Sequence, residues 1–142
     1  QSLWDLTNTT TARFRFHDGK DIVGTMAGIL EGELAWSEGN MEAAISSFEK
    51  AAEYYENLNY DEPEPLPFSP RHWLGAAYSE IGAHSKALEQ YNIDIDEHPH
   101  NIWGLWGVKE ALSSLDRNDR KINEELEKAF SFSDVWLPNT KL

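Results

Sequence analysis

The sequence predicts an all-α fold in which three helix-turn-helix pairs stack as a short right-handed α-solenoid. Apolar residues recur at spacings of three and four through most of residues 21–130, which is the period of an amphipathic helix. Glycine, asparagine or proline interrupts the pattern at short intervals, so each helix is brief and packs antiparallel to its neighbour. A proline-rich insertion separates the first pair from the second.

Composition limits the classes of partner. The 142 residues suit one domain, and the absence of cysteine excludes disulfides and thiolate metal sites. Twelve basic against 25 acidic residues give a net charge of −13, which disfavours nucleic acid and anionic membranes. No apolar run in the sequence approaches the length that spans a bilayer.

The amino-terminal part of the chain is predicted to be a lead-in followed by one helix pair. Residues 1–20 are rich in threonine and lack a helical period, so we expect them to be poorly ordered or part of a preceding repeat. A helix is predicted from residue 21 to Gly39, because Ile22, Met26 and Leu30 share its apolar face. A second helix follows directly, and the two make up unit one, residues 21–58.

Residues 59–70 form the predicted connector. Four of its residues are prolines, which exclude helix and stiffen an extended chain. We expect this loop to be ordered, with Leu66 and Phe68 packed against neighbouring helices. Asp61, Glu62 and Glu64 are expected to face solvent.

Two further units follow the connector. Unit two, residues 69–99, is predicted to hold helices over 70–81 and 85–97. Unit three, residues 101–131, is predicted to hold a helix over 101–115 and another around Leu126. The tail, residues 132–137, is expected to pack back on this last pair.

The units repeat at a fixed interval. Gly75 and Lys109 mark equivalent positions of successive units, and Gly32 precedes Gly75 by the same interval plus an insertion that the connector supplies. Small residues and a large aromatic residue fall at equal offsets in the first two units, where Gly32 precedes Phe48 as Gly75 precedes Tyr91. In this the chain resembles the tetratricopeptide repeat family, whose helix-turn-helix unit is about 34 residues long. The third unit departs from the pattern, since Lys109 replaces the small residue.

A narrower resemblance is to the carboxy-terminal region of long, mainly bacterial tetratricopeptide-repeat proteins of unassigned role. Residues 58–63, 71–76, 98–107 and 134–137 carry it. It implies that the chain is the end of a larger array, which agrees with a sequence that begins at Gln1 and not at Met.

The resemblance implies a concave groove lined by the first helix of each unit. The chain is then expected to be a protein–protein interaction scaffold that binds a peptide or a partner helix, with three tryptophans as anchors. The expected contacts are Glu33, Trp36, His72, Ser79, Glu80, Trp103, Trp106 and Glu110. The glutamates favour a neutral or basic ligand, although a solvated acidic face and core packing of Trp36 and Trp106 remain alternatives.

Two other functions stay open. The chain could be a structural capping end or a homodimerisation module that uses the exposed first helix, residues 22–36. A metal-dependent enzyme is the least favoured, and it would draw its ligands from one acidic and histidine-rich segment. That segment holds Asp94, Asp96, Glu97, His98 and His100. No catalytic or cofactor-binding motif occurs, so we expect neither an enzyme nor a cofactor.

Overall fold

The computed structural model describes residues 2–133 and residue 141. Of the residues that the structure describes, 67% are helical, and two short strands form one antiparallel sheet, which confirms a mainly helical fold. The helices are α1 (Leu3–Thr9), α2 (Gly19–Ser37), α3 (Met41–Tyr55), α4 (Arg71–Glu80), α5 (His84–Glu97), α6 (Ile102–Ser114) and α7 (Arg120–Phe130). The strands are β1 (Arg13–Phe14) and β2 (His17–Asp18). Within the described part of the chain, every helix is too short or too polar to cross a bilayer.

Contacts divide the chain into two compact units, residues 1–70 and 71–142. The first unit holds α1, the hairpin, α2, α3 and the connector. The second holds α4 to α7. Helices α2, α4, α5 and α6 begin and end within about two residues of the predicted bounds, and glycine or proline marks most of those ends.

The amino-terminal segment holds one short helix and a two-stranded hairpin, where the sequence shows no helical period. The hydroxyl of Ser2 accepts from the Asp5 amide at 3.1 Å, and the Asp5 carboxylate accepts in return from the Ser2 amide, which starts α1. Trp4 then fixes α1 in place. Its indole N–H donates to Glu31 of α2 at 3.1 Å, and the ammonium of Lys50 on α3 lies 3.4 Å from its ring centre.

Glycines bring α2 and α3 together. A Cβ on Gly28 would lie 2.8 Å from Ala51, and one on Gly32 would lie 2.3 Å from the ring of Phe48. Neither position has room for a side chain, so the two backbones meet at the distance that the glycines set. Phe48 is fully buried as a result.

The connector packs in part as expected. Leu66 is buried and Phe68 is half-buried, while Glu62 and Glu64 are exposed. Asp61 differs, because it is only 6% exposed and does not face solvent. Its carboxylate lies 2.9 Å from the Arg15 guanidinium and 3.3 Å from the imidazole of the buried His17.

The expected solvent position of Asp61 is therefore wrong. The Arg15 guanidinium and the His17 imidazole on the amino-terminal hairpin hold its carboxylate, and no sequence pattern marks contacts between residues so far apart. The side-chain amide of Asn59 reinforces the contact by donating to the Phe16 carbonyl at 2.7 Å. The connector is thus held against the hairpin within the first unit.

Tyr91 of α5 organises the second unit. A Cβ on Gly75 of α4, or on Gly107 of α6, would lie 2.5 Å from its ring. Both neighbouring helices therefore approach α5 at the level of one aromatic side chain. In the last pair, Trp106 of α6 meets Phe130 of α7 edge-on, with ring centres 6.0 Å apart. Residues 134–137, the larger part of the expected packed tail, lie outside the described residues.

Candidate functional site

A surface depression lies between the start of α6 and the end of α7. We call it the α6–α7 depression. Its volume is about 540 Å³, within the range of pockets that hold a small ligand or a few side chains. It is lined by His100, Asn101, Ile102, Trp103, Glu125, Lys128, Ala129, Phe132 and Ser133.

The first turn of α6 supplies one wall. The carboxamide oxygen of Asn101 accepts from the amides of Trp103 at 3.0 Å and Gly104 at 3.4 Å, and so starts the helix. His100, just before it, has φ 71°, a left-handed conformation that turns the chain into α6. Trp103 is then held half-buried in the first turn, where its ring lines the depression.

The last turns of α7 supply the other wall. Side chains at spacings of three and four lie on one side of the chain and form this wall. They are Glu125, Lys128, Ala129 and Phe132. The Lys121 ammonium lies 3.6 Å from the Glu125 carboxylate, while Phe132 is 85% exposed. An exposed aromatic ring beside a half-buried tryptophan offers a largely apolar surface flanked by one acid and one base.

A buried carboxylate lies behind the first turn of α6. Asp94 of α5 is fully buried, and its Oδ2 accepts from Nε2 of His72 on α4 at 2.8 Å. Its Oδ1 accepts from Nδ1 of His98 at 3.1 Å. A Cβ on Gly104 would lie 2.5 Å from Oδ2, so α6 packs directly over this carboxylate. Asp94 thereby ties α4 to the end of α5 beneath the turn that carries Trp103.

The two imidazoles keep Asp94 ionised. Burial alone would raise the pKa of this carboxyl, because a low-dielectric interior disfavours the charged form. The hydrogen bonds and positive charges of His72 and His98 outweigh that effect and hold the pKa well below its ordinary value of 3.8. The carboxylate is therefore a stable acceptor for both rings at neutral pH.

The eight residues predicted to contact a ligand fall in both units. Glu33 and Trp36 lie half-buried on α2, where Trp36 packs edge-on against Phe48 with ring centres 6.3 Å apart. On α4, Ser79 is half-buried and Glu80 is exposed. These four residues are not among those that line the α6–α7 depression.

On α6, the half-buried Trp106 packs on Phe130 and Glu110 is exposed, so of the eight only Trp103 lines the depression. His72 was predicted to contact a ligand, but it is 2% exposed and bonded to Asp94. Its role is internal, and it is not offered to a ligand.

The acidic and histidine-rich segment divides between the interior and the surface. Asp94 is buried, His98 is half-buried, and Asp96 and Glu97 are exposed at the end of α5. In residues 2–133, no three His, Cys, Asp or Glu side chains are arranged to hold a metal ion. His100 instead lines the α6–α7 depression.

The sequence prediction missed the contribution of α7. The spacing of Glu125, Lys128, Ala129 and Phe132 is visible in the sequence, but the assumption that only the first helix of each unit faces a ligand excluded it. Nothing in the sequence brings His72 to Asp94, which lies 22 residues away.

Comparisons with models of protein families, with curated proteins and with solved structures gave no match to this chain.

Proposed function

We propose that this chain is a protein–protein interaction scaffold with tetratricopeptide-like helix pairs, and that it binds a peptide or a partner helix. The α6–α7 depression is its binding site. Trp103 is the main anchor, because a rigid aromatic ring buries a large apolar area at little entropic cost.

The packing of two helix pairs supports the repeat part of the proposal. Gly32 meets Phe48 in the first unit as Gly75 meets Tyr91 in the second, at the same offset along the chain. The small residues at the crossings, Ala44 and Ala87, are each 0% exposed. Both pairs are therefore packed through the same contact, a glycine of the first helix against an aromatic ring of the second, as expected of a repeat.

The observation that carries the binding site is the state of Trp103. Trp36 and Trp106 each pack edge-on against another ring, whereas Trp103 makes no ring contact with any described residue. It lines an open depression together with the exposed Phe132. A ligand that covers both rings would remove apolar surface from water, which is the main favourable term in association.

Charge favours a neutral or basic ligand. The net charge of −13 produces a negative field that attracts cationic peptides and slows acidic ones. Among the residues that line the depression, Glu125 and Lys128 carry opposite charges, so the depression itself has little net charge. The ligand is therefore an apolar or aromatic anchor with neutral or basic flanks.

Selection from a random peptide library on the immobilised full chain tests the proposal. Trp103→Ala protein in solution serves as the competitor, so that only peptides needing this ring are retained. Enrichment of peptides with an aromatic or aliphatic anchor is the expected result. Equal capture by both proteins would contradict the proposed site.

A further inference from the structure

The outer face of α2 is apolar and uncovered. Met26, Leu30 and Leu34 are 50%, 52% and 57% exposed. They recur at every fourth position and form one stripe along the helix, which we call the α2 stripe. This pattern is the reverse of an ordinary surface helix, whose large apolar side chains face inward.

Small residues occupy the inner face instead. A Cβ on Gly24 would lie 2.5 Å from the ring of Tyr54 on α3, and Gly28 and Gly32 make similarly close contacts along the same helix. Helix α1 covers only one flank of α2, through the bond from Trp4 to Glu31. The α2 stripe lies opposite the glycines, so neither helix buries it.

The charges at the two ends of α2 are complementary. Lys20 and Glu38 are exposed, and neither pairs with a charge elsewhere in the described chain. The interval between them equals five full turns of an α-helix, so they project from the same side of α2. Leu30 lies next to the midpoint between them.

We propose that the α2 stripe binds the α2 stripe of a second copy of this chain, with the two helices antiparallel about a two-fold axis near Leu30. That axis places Met26 of one copy against Leu34 of the other. It leaves each Lys20 offset from the opposite Glu38 by two residues, about 3 Å along the helix, which the long lysine side chain spans. A parallel pairing would place the two Glu38 side chains together, which a chain of charge −13 opposes. Antiparallel self-association is therefore the arrangement that the charges select.

The dimer is weak. Three half-exposed side chains and their flanks provide less than the roughly 800 Å² per partner of a standard interface. We expect an equilibrium between monomer and dimer that moves with protein concentration. This surface belongs to the first unit, whereas the α6–α7 depression belongs to the second, so the two proposals can fail independently.

Sedimentation equilibrium of the full chain, from micromolar to near-millimolar concentration, measures the association. Leu30→Glu places two carboxylates face to face at the axis and should raise the dissociation constant about tenfold or more. Ile81→Glu is the matched control. Ile81 is 51% exposed and lies in the second unit, so the same change there should leave the association unaltered.

Charge reversal tests the orientation. Lys20→Glu and Glu38→Lys should each raise the dissociation constant roughly three- to tenfold, because each change affects two symmetric pairs. The double variant should return to the wild-type value. Circular dichroism checks that every variant is folded.

Three results would overturn the proposal. If the chain is monomeric at every concentration, the α2 stripe does not bind a second copy. Association that Leu30→Glu does not weaken would place the contact elsewhere. A double charge variant no stronger than the single variants would exclude the antiparallel arrangement.

Discussion

The ring of Tyr91 lies so close to Gly75 that a Cβ on the glycine would be 2.5 Å from it. Gly107 of α6 approaches the same ring equally closely. One side chain of α5 therefore sets the distance to both α4 and α6. Since Tyr91 is only 2% exposed, it has little freedom to move aside for a larger neighbour.

We expect Gly75→Ala to lower the free energy of unfolding by about 1–3 kcal/mol, because the added methyl group must displace the Tyr91 ring or separate α4 from α5. Overpacking of a well-filled core has a cost of this order. Urea denaturation followed by circular dichroism measures the change.

A compensating substitution shows whether Tyr91 is the cause. Gly75→Ala combined with Tyr91→Leu should be more stable than the sum of the two separate effects predicts, because the smaller side chain makes room. Ser113→Ala, at an exposed position of α6, is the control and should change stability by less than about 0.5 kcal/mol. Strict additivity would contradict the contact.

Asp94→Asn should destabilise the protein by about 3 kcal/mol at neutral pH, because a hydrogen-bonded buried charge is lost. The carboxylate accepts from two imidazoles, whereas an amide presents one oxygen and directs its N–H groups at the other ring. Chemical denaturation at neutral pH measures this difference, and Asp96→Asn, at an exposed site on the same helix, should have little effect.

The same carboxyl predicts a pH dependence of stability. Its pKa is lower in the folded state than the ordinary value of 3.8, so the unfolded chain takes up a proton first as the pH falls. The stabilisation is complete above about pH 5 and is lost progressively as the pH falls through 3.8 towards the folded value. Thermal melts between about pH 6 and pH 3 should show the wild type losing its advantage over Asp94→Asn, and a constant difference would contradict this account.

Asp61→Asn should loosen the connector. Two contacts to the hairpin depend on the negative charge, at 2.9 Å from Arg15 and 3.3 Å from His17. We expect a loss of about 1–3 kcal/mol and faster cleavage of residues 59–70 in limited proteolysis. Glu62→Gln changes an exposed neighbour and should leave the cleavage rate unaltered. Equal cleavage of both variants would show that the Asp61 charge does not hold the loop.

Leu66→Ala should cost more than Phe68→Ala, although phenylalanine is the larger side chain. Leu66 is buried, so its truncation leaves a cavity and should lower the free energy of unfolding by about 2–5 kcal/mol. Phe68 is only half-buried, so its truncation should remove about half of the free energy gained by fully burying a phenylalanine side chain. Melting temperatures of the two variants rank them. The opposite order would mean that Phe68 is the real anchor of the connector.

Much of the helical fold follows from local signals in the sequence. Gly39 and Gly82, at φ 78° and 74°, end a helix where the sequence places a stop, because a left-handed residue cannot continue the helix. Gly32 and Gly75 precede Phe48 and Tyr91 by the same offset in the sequence, and each glycine closely contacts that aromatic ring.

Long-range contacts of polar groups were not predictable in the same way. The bond from Trp4 to Glu31 and the contact of His17 with Asp61 join residues far apart in the sequence, with no period that marks them. The same distinction between local and long-range signals applies to the candidate site. Trp103 stood out by residue type, whereas Lys128 and Phe132 depended on how α7 packs against α6.

The central claim is that a ligand covers Trp103 in the α6–α7 depression. The most direct test is a ¹⁵N–¹H spectrum of the full chain, titrated with a peptide from the library selection described above. We predict that the indole signal of Trp103 and the amides of Lys128 and Phe132 shift together as the peptide saturates. Shifts confined to the α2 stripe, or spread evenly over both units, would contradict the account.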